Sequence, residues 1–124
     1  MEKALDLIVK DTAIEDDANL GRIVHVKERK TSPDLFRVKI FLSGNDLPLV
    51  NTVRYYLHPS FRSREKLVAR TPSNPNCELI IWAYGMFDLE VVVEDRSGYR
   101  FKINHRLSFG NELRTGDFRK VVER

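Results

Sequence analysis

Phe87-Asp88-Leu89-Glu90-Val91-Val92-Val93-Glu94-Asp95-Arg96-Ser97-Gly98-Tyr99-Arg100-Phe101-Lys102-Ile103-Asn104-His105-Arg106-Leu107 alternates apolar and polar residues on both sides of a turn signal. Phe87, Leu89, Val91 and Val93 fall on one face of an extended chain. Tyr99, Phe101, Ile103, His105 and Leu107 fall on one face of the next. A period of two marks a strand with one side buried and the other in solvent. Asp95-Arg96-Ser97-Gly98 supplies turn chemistry between the two rows. The pair predicts an antiparallel hairpin, and holding both apolar rows on one face restricts its register. The expected pairing sets Val93 opposite Tyr99, Val91 opposite Phe101 and Leu89 opposite Ile103. On the solvent face it sets Glu90 opposite Lys102, a small favourable term.

Upstream the same alternation recurs. Phe36, Val38, Ile40 and Leu42 share one face of a strand over 35–42, followed by the turn residues Ser43-Gly44-Asn45-Asp46. Val53, Tyr55 and Leu57 share a face of the strand that ends at His58, where Pro59 forces the preceding residue into an extended conformation. Val24 and Val26 point inward from a strand over 23–29, with His25 and Lys27 outward. Shorter strands are expected at 66–70 and 77–82. Residues 1–20 fit either an N-terminal extension or an edge strand: Leu5, Leu7 and Val9 alternate, while Leu5, Ile8 and Val9 would mark a helical face. Glu15-Asp16-Asp17 with Asn19 and Gly21 reads as a polar turn. Beyond residue 110 a last strand or a short helix fits 117–122. Seven or eight short strands separated by turns predict an all-β fold, an immunoglobulin-like antiparallel β-sandwich, with residues 1–124 as a single domain.

Composition narrows the function. The chain has 124 residues, enough for one core, and 42% of them are apolar. Its apolar runs are far too short for a membrane span, and the N-terminus lacks the basic start and apolar centre of a signal peptide. One cysteine, Cys77, rules out an internal disulfide and suits a reducing compartment, so a cytoplasmic location is expected, or a nuclear one in a eukaryotic host. Net charge is +3, with residues 1–20 at −4 and the remainder at +7, yet no basic run exceeds two residues. A mixed, solvated surface accounts for this better than a nucleic-acid interface. Arg54, Arg62, Arg64, Lys66 and Arg70 do cluster near Tyr56 and Phe61, so nucleic-acid binding ranks as a minor alternative.

No pattern supports catalysis. His25, His58 and His105 lack metal-ligand spacing, no glycine-rich loop opens a helix, and Cys77 sits at the start of an apolar strand where packing explains it. His105, on an inward row, is expected to be a hydrogen-bonded core histidine. The expectation is a protein that is not an enzyme and needs no cofactor and no metal.

Two loops carry the remaining chemistry. Leu57-His58-Pro59-Ser60-Phe61 places an imidazole, a hydroxyl and a ring within four residues after a strand, and Tyr84-Gly85-Met86-Phe87 follows a second strand. In this order the two resemble the loops of the YEATS domain family, small β-sandwiches that read acylated lysines, and the likeness runs across most of residues 22–109. A Thr-His-x-Trp signature usual in eukaryotic members is replaced by Ser32-Pro33-Asp34-Leu35-Phe36, which points to a prokaryotic-type member. The resemblance implies that the planar acyl amide stacks between Phe61 and Tyr84. It further implies that Ser60 hydrogen-bonds the amide, that His58 orients the Ser60 hydroxyl, and that the Tyr84 backbone N–H binds the acyl carbonyl. Trp82 and Gly85 are candidates for the pocket rim, and Ala83 stands where a glycine often precedes the second aromatic. The implied partner is a protein or peptide bearing acetyl- or crotonyl-lysine. The alternative is a structural or protein-interaction sandwich without acyl-lysine binding.

Overall fold

The computed structural model describes residues 5–123. In chain order its strands are β1 (Ile8–Thr12), β2 (Ile14–Asp17), β3 (Gly21–Lys27), β4 (Leu35–Ser43), β5 (Val50–Tyr56), β6 (Glu65–Ala69), β7 (Leu79–Ala83), β8 (Asp88–Asp95), β9 (Arg100–Arg106) and β10 (Arg119–Val122). A short helix, α1 (Phe109–Thr115), precedes β10. One sheet runs β1-β4-β3-β10, with β2 also pairing β3 and β7 also pairing β4; the other runs β6-β5-β8-β9. Every strand register described is antiparallel except that of β10, which lies parallel to β3. The chain divides into two compact units. No helix among the described residues is long and apolar enough to cross a membrane.

The first unit comprises the chain up to Lys10, Phe41–Leu79 and Phe87–Arg106. It contains the whole four-stranded sheet, with β5 and β8 at its centre. Val53 faces Val93 and Tyr55 faces Val91 across that central pair, and all four are fully buried. Buried apolar pairs of this kind hold a sheet far more firmly than its exposed charges do. Upstream, Leu7 and Val9 are buried while Ile8 is 53% exposed, so the N-terminal segment follows strand alternation rather than a helical face.

The β8–β9 hairpin forms on the expected faces but in a different register. Val93 pairs with Phe101, Val91 with Ile103 and Leu89 with His105, two residues further along β9 than expected. The reason lies in the turn. Pairing Val93 with Tyr99 would leave Arg96 alone to reverse the chain, which one residue cannot do. Instead Asp95 N–H bonds Tyr99 O at 2.9 Å, and Arg96, Ser97 and Gly98 form a three-residue loop with Gly98 at φ +88°. The Asp95 carboxylate secures it by accepting from the N–H groups of Ser97 and Tyr99. A shift of two keeps every side chain on its face. Glu90 now lies opposite Asn104, and its ion pair with Lys102 at 3.5 Å runs diagonally.

On the solvent side of this sheet, charges pair in a ladder. Arg54 meets Glu65 at 3.1 Å, Arg100 meets Glu94 at 2.9 Å, and Arg106 meets Asp88 at 3.2 Å. A hydrogen bond from Tyr56, assisted by Arg54, lowers the Glu65 carboxyl below the usual glutamate value; the bond from Arg100 does the same for Glu94.

The second unit comprises Asp11–Ile40, Ile80–Met86 and the chain from Leu107. Its central strand is β3, where Ile23, Val24 and Val26 are buried, matched by Val38 and Ile40 of β4. The segment expected as a polar turn, Glu15-Asp16-Asp17, is instead part of β2, paired with β3 down to Asp17 opposite Gly21. The turn comes directly after it. Asp17 Oδ1 accepts from the N–H groups of Asn19 and Leu20, and Gly21 takes φ +78°. The C-terminal segment holds both a helix and a strand, where only one of the two was expected.

Asp11 fixes the start of α1. Its carboxylate is buried and accepts from the backbone N–H groups of Ser108, at 2.8 Å, and Phe109, at 2.8 Å, and from the Ser108 hydroxyl. Phe109 is buried, its ring centroid 6.0 Å from that of Phe36. Asp11→Ala strands those two N–H groups, and urea unfolding should show a loss of about 1–3 kcal/mol; an unchanged midpoint would show that Asp11 does not stabilise the helix start.

The lowered Glu65 and Glu94 carboxyls contribute stability that is complete above the ordinary value of 4.5 and is lost as pH falls through their lowered values. The thermal midpoint should therefore decline below that pH, and the Glu65→Gln/Glu94→Gln variant should decline less steeply.

Candidate functional site

The first loop is set up by the end of β5. Leu57 remains buried on the apolar row, and its N–H bonds Arg64 O at 2.8 Å. Arg64 Nε returns a bond to Leu57 O at 2.8 Å, so the loop's neck is closed twice. Inside it, Phe61 N–H bonds His58 O at 3.0 Å, which makes residues 58–61 a β-turn with Pro59 at its second position, where its fixed φ suits the turn.

The turn aligns a histidine and a serine. His58 Nδ1 accepts the Ser60 backbone N–H at 3.1 Å and lies 2.8 Å from Ser60 Oγ. Because Nδ1 already accepts a backbone proton, it is the unprotonated nitrogen, and the Ser60 hydroxyl must donate to it as well. The lone pairs of Ser60 Oγ are left for a donor from outside. This exposed hydroxyl is thus an oriented acceptor, suited to an amide N–H.

Beneath the turn lies Phe87. Its ring centroid is 5.8 Å from that of His58 and 5.5 Å from that of Phe61, with both rings tilted by nearly 60° to it. Phe87 is itself 9% exposed. It supports the loop in the edge-to-face manner that aromatic quadrupoles favour. His58, Ser60 and Phe61 are therefore brought together, with Phe87 as a fourth member that the alternation of β8 assigns only to the core. Its signal was its place as the last residue of the aromatic-Gly-x-Phe motif. Arg64, at the neck, had no signal beyond its charge.

Tyr84, Gly85 and Trp82 belong to the second unit. Tyr84 is 44% exposed in the loop after β7. Ile81 and Ala83 are the buried residues of β7, so Trp82 lies on the opposite face, half-buried. There Lys27 Nζ sits 4.3 Å from the indole centroid, a cation–π contact that occupies one face of the ring.

The other reactive groups are structural. Cys77 is fully buried, and burial pushes its thiol up to about 11, which leaves it neutral and inert at physiological pH. His105 is half-buried on the edge strand β9, opposite Leu89. His25 Nδ1 lies 2.6 Å from Glu123 and Nε2 3.9 Å from Glu15, so its two nitrogens face different carboxylates. Among the described residues there is no group of three or more side chains arranged to hold a metal ion.

Comparison with known proteins defines the class. The fold is similar to the Yaf9 YEATS domain recognising an H3K122suc peptide, with a TM-score of 0.53 and 15% identity over 91% of this chain and 81% of that one. The architecture is accordingly an all-β, immunoglobulin-like β-sandwich. The prokaryotic YEATS domain family matches residues 36–108, and the chain belongs to that family. YEATS domains are recognition modules. None of the curated proteins matches this sequence.

Phe87→Leu keeps an apolar side chain in place while removing the ring that His58 and Phe61 contact. Stability should fall by less than about 1.5 kcal/mol, and the ring-current shifts of the His58 protons should move towards unstructured values in the NMR spectrum. Unmoved His58 shifts would show that Phe87 does not order the loop.

Proposed function

We propose that this chain is a non-enzymatic reader of acylated lysine, acetyl- or crotonyl-lysine, in a protein partner. The observation that carries the reading is the oriented Ser60 hydroxyl beside the Phe61 ring, held on an exposed turn by His58 Nδ1. An acyl-lysine amide offers what that pair requires. Its N–H donates to Ser60 Oγ, and its flat, uncharged face lies against Phe61. Tyr84 adds a second ring from the following loop and its backbone N–H binds the acyl carbonyl, roles that come from the family likeness.

The physical logic discriminates against free lysine. An amide buried without partners costs about 1–3 kcal/mol, so a slot that offers an acceptor and a donor is tuned to it. An ammonium would bring its own hydration and three donors to a site whose side chain supplies one acceptor. Desolvating it costs far more, and cation–π attraction to Phe61 returns only part of that. A flat crotonyl group adds apolar contact with the rings and should bind at least as well as acetyl.

The test is a titration of acetyl-, crotonyl- and unmodified-lysine peptides into the protein, followed by amide shifts. Modified peptides should bind with Kd of about micromolar to millimolar, since one side chain buries little area; unmodified peptide should hardly bind. Ser60→Ala should weaken binding by about 1–3 kcal/mol and Tyr84→Ala by at least about 0.5–1.5 kcal/mol, both with a near-normal thermal midpoint. Equal binding of modified and unmodified peptides, or unfolding of both variants, would favour the interaction sandwich, with these rings as packing. Mass spectrometry of the recovered peptide should find the acyl group intact; its removal would make the Ser60–His58 pair catalytic.

A further inference from the structure

Beside the neck of the first loop the four-stranded sheet carries an open groove of about 590 Å³, lined by Tyr56, Arg64, Asp88, Glu90, Asn104 and Arg106 among others. It lies wholly in the first unit. Two of its lining residues, Arg64 and Asp88, adjoin the first loop and its support. Arg64 closes the turn that holds His58, Ser60 and Phe61, and Asp88 directly follows Phe87, on which that turn rests. A polypeptide presenting a side chain at Phe61 therefore has this groove within reach of its neighbouring residues.

The groove's charges are committed, with one exception. Asp88 pairs with Arg106 at 3.2 Å, and Glu90 pairs with Lys102 at 3.5 Å. The Tyr56 hydroxyl is bonded to Glu65. Arg64 spends only its Nε, on the Leu57 carbonyl; its two terminal nitrogens have no hydrogen bond or ion pair among the described residues. Holding Nε fixes the guanidinium plane, and this leaves a forked pair of N–H donors in the groove with no carboxylate.

We propose that this groove receives the chain flanking the acylated lysine, and that the terminal nitrogens of Arg64 select an acidic side chain there. The proposal rests on the acyl-lysine reading of the loop. It deepens that reading by naming the partner's chemistry: an acyl-lysine with an Asp or Glu a few residues away, rather than one in a basic stretch. A basic flank would place its charge beside Arg64 and Arg106 and would have to break an existing Asp88 or Glu90 pair to find a partner.

The test walks one glutamate through positions three before to three after an acetyl-lysine in an otherwise uncharged peptide. The peptides are capped at both ends so that no terminal carboxylate competes. Glutamine and lysine serve as comparisons at each position, and the series is repeated on unmodified lysine. At one or two adjacent positions glutamate should bind about two- to fivefold tighter than glutamine, the range of an exposed ion pair, and lysine weaker than both. The preference should shrink at high salt. Arg64→Gln should abolish the difference between glutamate and glutamine peptides, whatever it does to their common affinity, and Arg64→Lys should retain part of that difference. Acyl-dependent binding with no glutamate preference at any position overturns the groove assignment and leaves the reader intact. Binding that ignores acylation overturns the acyl-lysine reading itself, and the assignment with it.

Discussion

The phenol of Tyr55 is the fixed point of the first unit. It is fully buried, and its hydroxyl donates to the Cys77 carbonyl at 2.6 Å, across 22 residues of sequence. Burial raises its pKa far above the usual phenol value, so it remains a donor at any pH the protein meets. The bond ties a central strand to an irregular segment that could otherwise wander. That segment carries Cys77 at φ +53°, an uncommon conformation for a residue with a side chain, and Asn76 accepts the N–H of Leu42 from β4. Breaking the bond would bury an unpaired hydroxyl and an unpaired carbonyl at once. Because Tyr55 and Leu57 share a face, the anchor that sets the strand also sets where His58 leaves it.

The candidate site built on that anchor is local in its construction. A proline-containing turn brings a backbone N–H to an imidazole nitrogen, and this settles the tautomer. The tautomer settles which way the serine hydroxyl points, and so whether the site accepts or donates. Each step follows from hydrogen-bond inventory rather than from burial. Ser60 can therefore stand exposed and still be ordered, because its bonds to His58 span only two residues.

The sequence was most legible where one face of a strand is buried. The rows Val38–Ile40–Leu42, Val53–Tyr55–Leu57 and Leu89–Val91–Val93 all read correctly, since alternation reports burial directly. Register was less legible. Alternation repeats every two residues, so it cannot distinguish Phe101 from Tyr99 opposite Val93; the Asp95 turn decides that by its own hydrogen bonds. Acidic stretches also misled. Glu15-Asp16-Asp17 has turn composition, yet β3 recruits it as a paired strand, because pairing with a buried neighbour outweighs weak local propensity. The roles of Asp11, capping a helix 97 residues away, and of Phe87, shared between core and loop, depend on long-range proximity that no local pattern encodes. His58, Ser60 and Phe61 were singled out through family likeness rather than through alternation, and hydrogen bonds join the first two.

Trp82 has a consequence outside recognition. It is the chain's single tryptophan, and Lys27 holds a positive charge 4.3 Å from its ring centre. Light absorbed selectively by indole therefore excites one position only, at the end of β7. Its emission reads the electrostatics and solvation of that strand end. The protein thus carries its own optical label at the end of β7.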